Sequence, residues 1–230
     1  MVKSCSSRSK KKMWGLISYK PRWGLTLQGW LVILLFLAGL IIFTLVNLQP
    51  FLAYSNPVKA DALVVEGWIG DDALKGAIAE FAQNDYQVLI TTGVPLARGE
   101  YLSEYKNFAQ LSAATLISFG FNREKLLIIP TPQTKKDRTL TSALAVQQWL
   151  KNSPLKIKAI NVYSYDVHSR RSWLLYQQVF APDIQVGAIA YPAVDYDPKS
   201  WWSFSQGVRV VISEAIAYFY AQFSFFLEMR

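Results

Sequence analysis

Three observations predict a doubly wound α/β domain behind a single membrane-spanning helix. From Ala60 onward, five short apolar runs alternate with stretches of helical periodicity. Strands of that kind separated by helices pair in parallel and need cover on both faces. Upstream, no charged residue occurs between Arg22 and Lys59, and the apolar stretch inside that gap is long enough to cross a bilayer. Finally, the +8 net charge is a property of the tail. Lys3, Arg8, Lys10, Lys11, Lys12, Lys20 and Arg22 precede the apolar stretch, and the remainder holds 17 basic against 16 acidic side chains. A nearly neutral folded part removes the main support for nucleic-acid binding.

The order of elements follows from these patterns. Residues 1–24 form a basic, serine-rich tail with Trp14 and Trp23 towards its end. Residues 25–49 form the transmembrane helix, with Leu31 to Val46 as its apolar centre and Trp23 and Trp30 at headgroup level. Cations on the N-terminal flank hold that end in the cytoplasm, so the rest of the chain faces outward from the plasma (inner) membrane. A cleavable signal peptide is the rival reading. The apolar core is longer than a usual signal core, and Ala53-Tyr54-Ser55 is a weak cleavage site, so the uncleaved anchor is favoured. Residues 50–59, with Pro50 and Pro57, read as a stiff linker.

Residues 60–230 form the α/β domain. Ala62–Val65, Gln87–Thr91, Lys125–Ile129, Ala159–Tyr163 and Ile184–Ile189 are the expected strands. Between them, Leu74, Ala77, Ile78 and Phe81 mark one helix face, Tyr101 to Gly120 a long helix stopped by glycine, and Thr139 to Lys151 another. A further helix begins at His168 and carries Trp173, Tyr176 and Phe180. Right-handed crossovers then give a Rossmann-like, mostly parallel five-stranded sheet in the order 3-2-1-4-5. From Trp201 onward the chain is dense in aromatics, and Val208, Val211, Ile212, Ala215 and Phe219 make a helix stripe. Such a stripe packs on the sheet; the alternative is that the aromatic end also touches the membrane interface.

Ligands of open α/β sheets bind beyond the carboxyl ends of the strands. After the fourth strand, Asn161 to Trp173 brings Ser164, Asp166, His168, Arg170 and Arg171 to that edge, at a helix N-terminus suited to an anion. After the first strand come Glu66-Gly67-Trp68-Ile69-Gly70-Asp71-Asp72, whose glycines permit close approach and whose Asp71 suits a helix cap. This is not a dinucleotide fingerprint, since G-x-G-x-x-G is absent. After the third, the loop before Thr139 carries Lys135, Lys136, Asp137 and Arg138, where Asp137 suits an acid, a base or a cap. Ser164, Asp166 and His168 lie too close together for a hydrolase triad, and there is no nucleophile elbow. The single histidine, His168, is the candidate general acid/base, with Asp137 or Glu66 as its partner. One cysteine, Cys5, and one histidine leave no zinc spacing, so no metal site is expected. The residues name no cofactor.

At these segments the chain resembles the ElyC/SanA/YdcF-like proteins, a widespread bacterial group of which several members are inner-membrane proteins with an outward-facing domain. The likeness runs from about Asp61 to Phe226. It is carried by Ala60-Asp61-Ala62-Leu63-Val64-Val65, by Thr91-Thr92-Gly93, by Asp137-Arg138-Thr139-Leu140-Thr141-Ser142-Ala143, and by Ser164 with His168-Ser169-Arg170-Arg171. The resemblance implies a Rossmann-like fold and a role in cell-envelope biogenesis, in peptidoglycan or lipid-carrier metabolism. Two positions depart from the group's pattern: Glu66-Gly67-Trp68 stands where a glycine pair is common, and Arg138 where asparagine is. The expectation is a domain that binds a small anionic or phosphorylated envelope metabolite, with hydrolysis or transfer as its chemistry. His168 and Asp137 are the catalytic candidates, and Gly67, Gly93, Arg138, Thr139, Ser164 and Arg171 the ligand-binding ones. The bilayer and other envelope proteins are the expected partners. A non-catalytic module regulating envelope enzymes is the alternative.

Overall fold

The computed structural model describes residues 26–134 and 137–228, with side chains through Ser224. The basic tail with Trp14 and Trp23, the loop lysines Lys135 and Lys136, and the side chains of Phe225 and Phe226 lie outside the described residues. The chain divides into two compact units, one ending at Ile42 and one beginning at Phe43.

Helix α1, Leu27–Leu52, has a mean hydropathy of 2.8 over its apolar window, and that window has no buried residue. Its 26 residues rise about 39 Å, enough to cross a hydrocarbon core of about 30 Å. The helix continues three residues past the predicted end at 49. Pro50, which lacks an N–H, sits so near the end that little helical bonding is lost. Gln49 and Leu52 are buried against the α/β domain, and that packing extends the helix.

The domain is the predicted parallel sheet, covered on both faces. Its strands are β1 (Ala62–Glu66), β2 (Val88–Gly93), β3 (Leu126–Pro130), β4 (Ala159–Tyr165) and β5 (Gln185–Tyr191), in the order β3-β2-β1-β4-β5. Alternate residues of β1 divide the core. Leu63 and Val65 pack under α2 (Asp71–Gln83) and α3 (Phe108–Ser118). Val64, with Ile90 and Ile160, packs under α4 (Arg138–Lys151) and α5 (Ser169–Phe180). Helix α6 (Ser205–Glu228) follows a 3-10 segment, Pro198–Ser203.

Two local expectations are corrected. The helix expected over 101–120 begins only at Phe108, because the Asn107 side chain accepts from Gln110 N at 2.9 Å and caps it there. It ends at Ser118, just before Gly120, whose φ of +91° fits the glycine stop. Gly70, not Asp71, takes the N-cap of α2, and Asp71 sits in the first turn, where a carboxylate favours the helix dipole.

The linker is a strap. Asn56 pairs antiparallel with Ala188 on the open edge of β5, covering backbone groups that would otherwise invite edge-to-edge association. Asn161 of β4 clamps it from beneath: its amide accepts from Val58 N and donates to Val58 O, both at 2.9 Å, and donates to the Tyr86 hydroxyl at 2.8 Å. Gly187 lies beside Asn161 in register, and a Cβ there would stand 2.1 Å from Asn161 Oδ1, so the clamp requires glycine at that position.

Asn161→Ala strands the Val58 backbone groups and is expected to lower stability by about 3 kcal/mol. Urea unfolding of the full chain in detergent, followed by tryptophan fluorescence, measures this. A loss within experimental error would show that the strap is not held by Asn161.

Candidate functional site

Glu66 ends β1, and its neighbours in register are Thr92 on β2 and, one step past the Val65–Tyr163 pair, Ser164 on β4. Strand alternation turns all three towards the face covered by α4 and α5. A carboxylate so placed is fully surrounded, with only 3% of Glu66 exposed, and it persists there because it is satisfied. Ser164 donates to Oε2, and Ser172 of α5 donates to both carboxylate oxygens at 3.0 Å. The Thr92 hydroxyl, buried beside it, has no partner among the described residues.

His168 closes the 3-10 turn that follows β4 and stands at the N-cap of α5. Its Nε2 lies 3.6 Å from Glu66 Oε1 and 3.4 Å from Thr139 Oγ1 at the start of α4. Its Nδ1 lies 2.9 Å from Glu214 Oε1, a residue of α6. Arg171, one turn along α5, pairs with the same carboxylate through two bonds, Nε to Oε2 at 2.9 Å and Nη2 to Oε1 at 3.1 Å. The fork geometry fixes both groups. Arg171 Nη2 is also 2.9 Å from His168 Nδ1, so two cations converge on Glu214 Oε1. Trp68 lays its ring edge-on to the imidazole, 4.8 Å between centroids.

The cluster balances two carboxylates against two cations, which sets the protonation states. Burial pushes His168 down, but the Glu66 charge and the bonds to Glu214 and Glu66 outweigh it and raise its pKa to about 9. Burial pushes Glu214 up, but its bonds to His168 and Arg171 and their charges hold it at about 2. Burial likewise pushes Glu66 up, but the His168 charge, the bonds from His168 and Ser164, and Arg171 leave it below its ordinary value. At neutral pH the imidazole is therefore a cation with both ring nitrogens protonated: a proton donor at rest.

The cluster forms one wall of a cleft of about 510 Å³ at the carboxyl ends of the strands. His168, Arg171, Thr139, Asp137, Arg138 and Gly93 all line it. Arg138 and Asp137 are exposed at the start of α4. Arg138 pairs with no carboxylate among the described residues. Asp137 adopts a left-handed backbone with φ 48°, and its backbone carbonyl accepts from Thr141 N and Oγ1. Among the described residues the carboxylates within 4 Å of the His168 ring nitrogens are Glu66 and Glu214.

Two predicted ligand residues stand elsewhere. Ser164 is fully buried and serves Glu66. At Gly67 a Cβ would come within 2.5 Å of Phe108 O, so the close approach it permits is that of α3. Gly93 does the same, with a Cβ 2.7 Å from that of Phe108, although it also borders the cleft. Asp166 is buried at a left-handed φ of 44°, where it accepts from Gln49 Nε2 at 2.8 Å and from the Tyr196 hydroxyl. It takes no part in a Ser–His–Asp arrangement.

Glu214 escaped the sequence reading. Its signal was an acid three residues after Val211 and one before Ala215, on the edge of the stripe that packs inward. Among the described residues no three His, Cys, Asp or Glu side chains converge as metal ligands. No protein-family model matches the chain, and no curated protein matches it.

With one histidine in the chain, a single imidazole signal reports the cluster. Its NMR titration is expected near pH 9, moving towards the ordinary 6.5 in Glu214→Gln; a wild-type midpoint near 6.5 would mean the cluster does not form. Because the folded-state pKa of His168 is raised, its stabilisation is complete below about pH 6.5 and is lost as pH rises through about 9. Glu214, depressed in the fold, stabilises above about pH 4.5 and loses that contribution as pH falls towards 2.

Proposed function

We propose that this protein is a membrane-anchored envelope protein of the ElyC/SanA/YdcF-like kind whose outward-facing domain binds a small anionic or phosphorylated cell-envelope metabolite. The observation that carries this reading is His168, held in a buried network and lining a cleft whose rim bears Arg138, which pairs with no carboxylate among the described residues. An anionic group in the cleft meets Arg138 at the rim and His168 Nε2 and Thr139 Oγ1 at the wall. The start of α4 adds backbone N–H groups and the positive end of a dipole. Hydrolysis or group transfer fits such a site. His168 would protonate a leaving oxygen as general acid, Arg171 and Glu214 would hold its ring in place, and Asp137 would serve as the solvent-facing base. Seven cations before a helix able to span a membrane support an N-terminus in the cytoplasm and the domain outside it.

One observation favours a second reading. Each charge of the Glu66–His168–Glu214–Arg171 cluster is compensated internally, as in a purely structural cluster that joins α5 and α6 to the sheet of a regulatory module.

The two readings separate on the full chain in lipid nanodiscs, titrated with inorganic phosphate, a nucleotide-linked sugar and an isoprenyl phosphate. Arg138→Ala, at an exposed position, is expected to weaken binding by roughly tenfold or more, the worth of one charge-assisted hydrogen bond. His168→Gln, which removes a positive charge from the wall, is expected to weaken binding as well and to lose turnover. No measurable binding of any probe by wild type would favour the regulatory module.

A further inference from the structure

Helix α6 presents three faces. Val211, Ala215 and Tyr218 pack inward with Leu45, Leu48 and Leu52 of α1 and with Trp201. Glu214, Ala217, Tyr220 and Ala221 line the cleft. The third face is uncovered and apolar: Val208, Ile212, Ile216, Phe219 and Phe223 recur at helical spacing and are all exposed, Ile216 and Phe223 by about two-thirds. A helix apolar on more than its packed side has a second apolar neighbour. Contiguous exposed apolar surface of this kind marks an interaction site.

We propose that this outer face of α6 seats on the lipid bilayer that α1 enters. The occupant is argued from what adjoins the face. Helix α6 packs on the last two turns of a helix long and apolar enough to span a membrane, with Phe51 meeting Tyr218 edge-on at 5.5 Å. The Trp201 indole donates to Leu45 O at 2.8 Å, near the end of the apolar stretch. The half-exposed Trp202 ring lies 6.0 Å from that of Trp201, and Arg170 stacks over Phe51 and Tyr54 at 4.0 and 4.4 Å. Tryptophan, tyrosine and arginine gather where apolar bodies meet headgroups. A helix fixed at that level with its outer face bare would lie in the interface plane, apolar face in the acyl boundary. Helix α6 would then stand between bilayer and cleft, and a ligand carried on a lipid would reach His168 past Tyr220.

The proposal rests on the anchoring reading above, and the test separates the two. Full-length protein with Cys5→Ser carries single cysteines at Leu37, Ile216, Phe223 or, as a remote control, the exposed Asn84. Each is labelled with a polarity-sensitive fluorophore and reconstituted in vesicles of phosphatidylcholine and phosphatidylglycerol. The expected result is several-fold stronger quenching by a lipid-borne nitroxide at positions 37, 216 and 223 than at 84. Quenching at 37 with aqueous accessibility at 216 and 223 overturns the seating of α6 and leaves the anchor standing. Absence of lipid quenching at 37 overturns the anchor, and the seating with it. Shielding at 216 and 223 from both quenchers, with disulfide cross-linking between copies at those cysteines, overturns the lipid occupant in favour of a second copy.

Discussion

The buried cluster of Glu66, His168, Glu214 and Arg171 is the constraint on which the rest of the domain depends. Its four charges come from the end of a strand, the turn after another strand, and two helices, so the set is complete only when all four elements are in place. Removing one member of such a set leaves its partner charged and dry, at a cost of about 3–5 kcal/mol. The cluster therefore joins α6, which has no strand of its own to pack behind, to the carboxyl edge of the sheet. It also holds the imidazole at the cleft wall between the two carboxylates, Glu66 and Glu214, which border the same cleft.

The same edge receives the end of α1. Asp166, two residues before His168, accepts from Gln49; Ser169 donates to Leu52 O at 3.3 Å; Arg170 donates to Phe51 O and stacks over two aromatic rings. Five consecutive positions, Asp166 to Arg170, thus hold both the end of the apolar helix and the histidine. The left-handed backbone at Asp166, which a short polar side chain tolerates, turns its carboxylate to Gln49 and Tyr196 and aims the chain into α5.

Protonation gives the cleft its chemical character. An isolated histidine near its ordinary pKa is mostly neutral at neutral pH and exchanges its proton in either direction. Two carboxylates raise this one until it stays protonated at neutral pH, and His168 and Arg171 together keep Glu214 ionised. Thr139 Oγ1 and Arg138 add to the polar lining on the α4 side.

The sequence by itself determined the apolar helix, all five strands and their order, because hydrophobic period and chain connectivity are local signals that right-handed crossover converts into topology. It also placed His168, Arg171, Asp137, Arg138 and Thr139 at the strand ends, since loops after parallel strands must gather there. Tertiary structure alone decided the rest. Glu214 lies 46 positions from His168, and no local pattern pairs them. Gly67 and Ser164 look like ligand residues in sequence but turn inward, because the approach of α3 and the charge on Glu66 claim them first. The linker became a strap because Asn161 and Gly187, side by side on neighbouring strands, leave room for its backbone. Each is a long-range fit of shape or charge, which exists only after the chain has folded.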